Sequence, residues 1–145
     1  MDMMPPSMPE RMVPPDPSTA NLKAYAGSIS AAEQAFSDEA QRIGIGAAFA
    51  KYGRADAVNM GGNKDPGFVV GAAAIGRAVG EGSPTDSSEV EWNADRVLVA
   101  SSGDLGITFG MIRIKKPEPK GPTAVPFFTI WSRDTSTGVW RYIAE

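Results

Sequence analysis

Hydrophobic positions along this chain run mainly at the helical period before Val90 and at a period of two from there on. Phe36, Ala40 and Ile43 recur at intervals of four and three, with Glu33, Asp38, Glu39, Gln41 and Arg42 largely filling the remainder, which is the stripe of an amphipathic helix. Ser30-Ala31-Ala32-Glu33 ahead of it has the spacing of a capping box. Together they predict a helix that starts at Ser30 and stops at Gly44, where a left-handed residue carries no steric penalty. A second, shorter helix is expected from Gly46 to about Tyr52, with Ala48, Phe49 and Tyr52 on one side and Gly53 ending it. Ala55 to Met60 predicts a short strand, Gly61 to Gly67 a loop, and Gly71 to Val79 a small helix with Ile75 and Val79 four apart.

From Val90 the period falls to two. Val90, Trp92 and Ala94 alternate with polar residues, and Val97 to Ala100 is apolar throughout, as in a strand passing from half-buried to fully buried surroundings. Ile107, Phe109 and Met111 alternate with Thr108 and Gly110. Two further strands are expected at about Val125 to Arg133 and Val139 to Ala144. The turns lie at Ser101-Ser102-Gly103-Asp104 and Asp134-Thr135-Ser136-Thr137-Gly138. Helices first and antiparallel strands after them make an α+β domain.

Residues 1 to 27 differ in kind, because Pro5, Pro6, Pro9, Pro14, Pro15 and Pro17 sit among Met3, Met4, Met8 and Met12. Proline removes donors and fixes φ, so this stretch reads as an extended arm, with the domain occupying residues 28 to 145. A chain of 145 residues accommodates one domain of ordinary size.

Composition then removes whole classes of chemistry. The chain has no cysteine and no histidine, which excludes thiolate nucleophiles, disulfides, Cys/His zinc sites and Ser-His-Asp triads. Acid-base work would fall to Asp, Glu, Tyr or Lys with a shifted pKa. A net charge of -3 offers no field for gathering phosphates, so nucleic acid is not an expected partner. The local cluster Arg113, Lys115, Lys116 and Lys120 straddles Pro117 and Pro119 as a solvated hairpin tip would. Phe68 to Ile75, the longest mostly apolar run, is far short of the roughly 20 residues that span a bilayer. Gly71, Gly76, Gly80 and Gly82 lack the strand-to-helix context of a dinucleotide loop. Asp86, Glu89 and Glu91 lack the turn of a calcium loop. Neither a cofactor nor a metal is implied.

The ordered set Glu33-x-x-Phe36, Gly44, Ala48-Phe49, Tyr52, Asp56-Ala57-Val58, Trp92, Ser102-Gly103-Asp104-Leu105-Gly106, Gly110, Thr129-x-Trp131 and Gly138-x-Trp140 resembles the SnoaL-like branch of the nuclear transport factor 2 superfamily. More narrowly, it resembles a bacterial set of stand-alone domains without an assigned activity. The resemblance implies a cone in which a curled antiparallel sheet wraps a helix and leaves a pocket at its open end. It also implies a homodimer formed through the outer face of the sheet, and it points weakly to an exported domain tethered by the proline-rich arm.

Five residues are candidates to line that pocket: Tyr52, Trp92, Phe109, Met111 and Trp131, because aromatic side chains supply apolar area with a polar handle. The same residues at strand spacing also serve as plain core, and the pattern alone does not say which sheet face meets the helix. Asp56, where the second helix hands over to a strand, is a weak candidate base, against the plainer role of a solvated carboxylate. Asp104 reads as turn chemistry. Two functions stay open. One is a non-catalytic domain that binds a small apolar or carbonyl-bearing molecule. The other is a proton-transfer enzyme like the ketosteroid isomerases and polyketide cyclases of this fold, with Asp56 or another pocket carboxylate as base and Tyr52 as oxyanion donor.

Overall fold

The computed structural model describes residues 17–61 and 67–145. Three helices, α1 (Pro17–Ile43), α2 (Ile45–Tyr52) and α3 (Ala72–Gly80), pack on one sheet. Its strands are β1 (Gly53–Met60), β2 (Phe68–Val70), β3 (Val90–Val99), β4 (Leu105–Ile114), β5 (Ala124–Arg133) and β6 (Trp140–Ala144), in the spatial order β2-β1-β6-β5-β4-β3. The sheet is not entirely antiparallel as expected: β1 lies parallel to β6, and all other pairs are antiparallel. The three-residue β2 was not expected. Most of the loop predicted before it, residues 62–66, lies outside the described residues.

α1 begins at Pro17 rather than at Ser30. Proline is tolerated in the first turn of a helix, where its missing N–H has no intrahelical partner to lose. The part of the expected arm from residue 17 to 27 is therefore helical, whereas residues 1–16 lie outside the described residues. Packing secures the added turns. Tyr25 lies under the Arg133 guanidinium, 4.6 Å from its ring centroid, and Ser28 Oγ accepts a hydrogen bond from Trp140 Nε1 at 2.8 Å. The Ser30 capping box does not form, because Ser30 is mid-helix. Gly44 does stop the helix, at φ 93°.

Two bulges set which side chains face inward. In β3 the register shifts between Ala94 and Arg96, so Asp95 is an extra residue and the alternation inverts. Trp92 faces the helix before the bulge, and Val97 and Val99 pack on the core after it. Leu98 points out, 53% exposed. Full burial of Val97 to Ala100 is thus replaced by two half-buried stretches of opposite phase. In β6 the shift between Ile130 and Trp131 of β5 leaves Ile143 unpaired, with a consequence for Glu145.

The core gathers around Phe36 of α1. Its ring meets Phe49 edge-on at 4.8 Å, Trp92 at 5.0 Å and Trp131 at 6.1 Å, and stacks on Tyr142 at 5.7 Å. Such pairs each add about 0.5–1.5 kcal/mol beyond the area they bury. The β3–β4 turn closes one end of this core. Gly103 holds φ 74°, and a Cβ there would stand 2.1 Å from the Tyr25 ring, so both conformation and space demand glycine.

Candidate functional site

The inward face of α1 runs through Ile29, Glu33, Phe36, Ser37 and Ala40, all buried and spaced as one helical face requires. It places a carboxyl in the middle of the aromatic core. Glu33 Oε2 accepts from Trp92 Nε1 of β3 at 2.9 Å. Its Oε1 accepts from Thr108 Oγ1 of β4 at 2.5 Å and from Trp131 Nε1 of β5 at 3.3 Å. Three adjacent strands are thereby tied to one helical side chain. Burial raises the Glu33 pKa above the ordinary carboxylate range, against the opposing pull of hydrogen bonds from Thr108, Trp92, Trp131 and Thr129.

Between α2 and strands β3 to β5 lies a cavity of about 30 Å³, lined by Phe49, Trp92, Ile112, Phe127, Thr129 and Glu145 together with Ile45 and Val90. It has room for a water molecule or two, against roughly 300–1,000 Å³ for a drug-sized ligand. Glu145 reaches it because of the bulge at Ile143, which turns residue 145 to the same side as Tyr142. Its backbone is latched to β1, donating to Val58 O and accepting from Met60 N, both at 3.2 Å. Burial, and then the nearby Glu33, push the Glu145 carboxyl up to about 8, with a Thr129 hydrogen bond pulling the other way. A carboxyl with that value is mostly protonated at neutral pH. Tyr142 beside it is pushed up by burial and by Glu145. Its hydroxyl is already committed, donating to Phe49 O at 2.6 Å.

Of the five residues predicted to line a pocket, Trp92 borders this small cavity. Trp131 lies one layer deeper, fully buried against Glu33 and Thr108. Tyr52 is half-buried and stacks on Phe36 at 5.3 Å. Phe109 and Met111 are corrected to the outer face. Thr108 faces inward, so its neighbour Phe109 faces outward, pairing with Phe128 at 6.2 Å, and Met111 is 38% exposed.

Asp56 is also on the surface, ion-paired with Arg54 at 2.5 Å. That hydrogen-bonded guanidinium holds its carboxyl below the usual range, the opposite of what a general base needs. Asp104 is exposed and accepts from Ser102 Oγ in its turn. Among the described residues no hydrogen bond joins a carboxylate to a tyrosine hydroxyl, and no three His, Cys, Asp or Glu side chains gather as a metal-ligand set.

Two wider depressions lie elsewhere. One, of about 620 Å³, holds Arg54, Arg133 and Arg141, but these are engaged by Asp56 and Ser132, by Gly103 O and Tyr25, and by Lys51 O respectively. The other, of about 450 Å³, runs between α2 and α3 past glycines and alanines.

No protein-family model and no curated protein matches the chain, but solved structures do. A Methylobium petroleophilum protein of unknown function with a cystatin-like fold aligns over 83% of this chain and 74% of its own at 15% identity and a TM-score of 0.51. A Catenulispora acidiphila protein in complex with S-DNPA aligns over 86% and 90% at 16% identity and 0.52. A Mycobacterium tuberculosis protein in complex with estradiol-17beta-hemisuccinate aligns over 83% and 89% at 12% identity and 0.52. The chain has the nuclear transport factor 2-like cone fold. Identities this low speak for the fold and leave function to the site. In this cone the sheet stays open, and no helix among the described residues is long and apolar enough to cross a membrane.

Proposed function

We propose that the cone is a non-catalytic small-molecule-binding domain whose ligand enters at the open end, against Trp92, Phe127 and Glu145. One observation carries this: a cavity with apolar and aromatic walls holds a single polar cluster, Glu145 with Thr129, the arrangement by which ligand sites fix orientation. Anything larger than a few atoms must widen the cavity, and the half-buried Ile45, Val90, Ile112 and Phe127 are the apolar lining residues with space to move. Two proteins of the same fold hold small molecules, estradiol-17beta-hemisuccinate and S-DNPA, which supports the reading. The ordered motifs that resemble the SnoaL-like branch support it too. The apolar outer face, with Leu98, Met111 and Phe128 exposed, supports a homodimer.

Proton-transfer catalysis is the weaker proposal, because Asp56 is ion-paired in solvent and Tyr52 stacks in the core. The test is native mass spectrometry of the purified protein together with deuterium exchange at the α-carbon of cyclic ketones. A small molecule should accompany the parent and be lost from Phe127→Trp, which fills the cavity, while exchange stays at the buffer rate in the parent and in Asp56→Asn. Exchange in the parent that vanishes in Asp56→Asn or Glu145→Gln would establish the enzyme instead.

A further inference from the structure

The cavity is lined by a carboxyl, Glu145, without a counter-charge. Glu145 lines the cavity beside Thr129, and the hydrogen-bond partners of Glu33 are the neutral Trp92, Thr108 and Trp131. Among the described residues no lysine or arginine lines the cavity. Nearby cations are bound elsewhere: Lys51 and Arg42 to Glu39, and Lys115 to Gln41. A buried carboxyl without an ionic partner resists ionisation. Aromatic rings, here Phe49, Trp92 and Phe127, attract cations to their faces. Resting on the ligand-binding reading above, we propose that the cavity takes the head of a small organic ammonium ion, with Glu145 as its carboxylate partner and the rings of Trp92 and Phe127 about its methylenes.

The size agrees, since an ammonium head occupies about the space of the water or two that 30 Å³ admits, leaving an alkyl tail in the mouth. A neutral molecule gains the apolar contacts and leaves the carboxyls uncompensated. The titratable groups facing Glu145 are Glu33 from α1 and Tyr142 from β6; the cavity residues of β3, β4 and β5, Val90, Trp92, Ile112, Phe127 and Thr129, do not titrate. Binding of the cation ionises Glu145 and releases its proton to solvent. With that carboxyl titrating at about 8, affinity for a fixed cation should be about tenfold greater at pH 9 than at pH 7.

The experiment titrates the full chain with n-butylammonium chloride and with butan-1-ol of the same length, at pH 7 and pH 9, by calorimetry and by the indole N–H resonance of Trp92. Butylammonium should shift that resonance and bind about tenfold more tightly at the higher pH. Glu145→Gln should lose the pH dependence and most of the affinity while keeping a folded spectrum. Equal binding of the alcohol and the amine would keep the ligand-binding reading and overturn the ammonium assignment; binding of neither would overturn both.

Discussion

Where β4 meets β5, the two faces of the curled sheet invert the usual division of labour. On the inner face, Thr108 opposes Thr129 across β4 and β5, and both are buried with Glu33. One residue along each strand, Phe109 opposes Phe128 on the outer face, where Phe128 is 51% exposed. A polar layer is sealed inside while a phenylalanine pair meets solvent. Buried polar groups persist where each finds a partner, and an exposed apolar patch signals an unfilled contact. The inner face is thus specified by hydrogen bonds, and the outer face by what remains to cover it.

The strongest test of this contrast is Trp131→Ala. The indole is fully buried and donates to both Glu33 and Thr108, so truncation leaves a cavity and orphaned acceptors. We expect a loss of about 3–5 kcal/mol, measured by chemical denaturation. A variant as stable as the parent would mean that the buried network contributes nothing to the inner face.

Next in size is a pH slope of unusual sign. Burial holds Glu33 and Glu145 above the ordinary carboxylate range. Their contribution to stability is complete below the unfolded value of about 4.5 and is lost as pH rises through the folded one, about 8 for Glu145. Asp56, Asp134 and Glu39 are shifted downward, so their contributions are lost only in acid, below this window. Tm should therefore fall between pH 5 and pH 9, on the order of several degrees, and Glu145→Gln should remove most of the slope. A Tm that is flat or rising across that interval in the parent would contradict two carboxyls whose pKa burial raises.

How much of this was legible in the chain follows from the same contrast. Helix and strand periods located α2, α3 and the four long strand segments, and Gly44 marked a real stop. Glu33 was visible in principle, since it falls three residues before Phe36 and seven before Ala40 on the same helical face. Its fit to a capping box with Ser30 concealed that placement, because a local motif and a buried position use the same residue type. Phe109 and Met111 alternate as faithfully as Thr108 and Gly110, so periodicity shows two faces without saying which one the helix covers. Glu145 depends on a single unpaired residue, Ile143. A bulge inverts every side chain beyond it and has no signature in apolar spacing.

The smallest effect on stability, and the sharpest on assembly, should come from Phe128→Glu. The ring is half exposed and touches its neighbours chiefly through Phe109, so the folded monomer should lose no more than about 1 kcal/mol, the upper part of what an aromatic cross-strand pair contributes. A homodimer that uses Leu98, Met111 and Phe128 as its contact would bury a carboxylate in an apolar interface, one per protomer, each without a cation opposite. That cost far exceeds the loss of one ring. Light scattering coupled to size exclusion should then show a dimer in the parent and a monomer in the variant, with nearly equal denaturation midpoints at low protein concentration. Equal masses for the two proteins would remove the outer face from assembly and leave its phenylalanine pair as an ordinary exposed patch. A large drop in the monomer's own stability would show instead that the outer pair belongs to the core, and the contrast between the faces would fail.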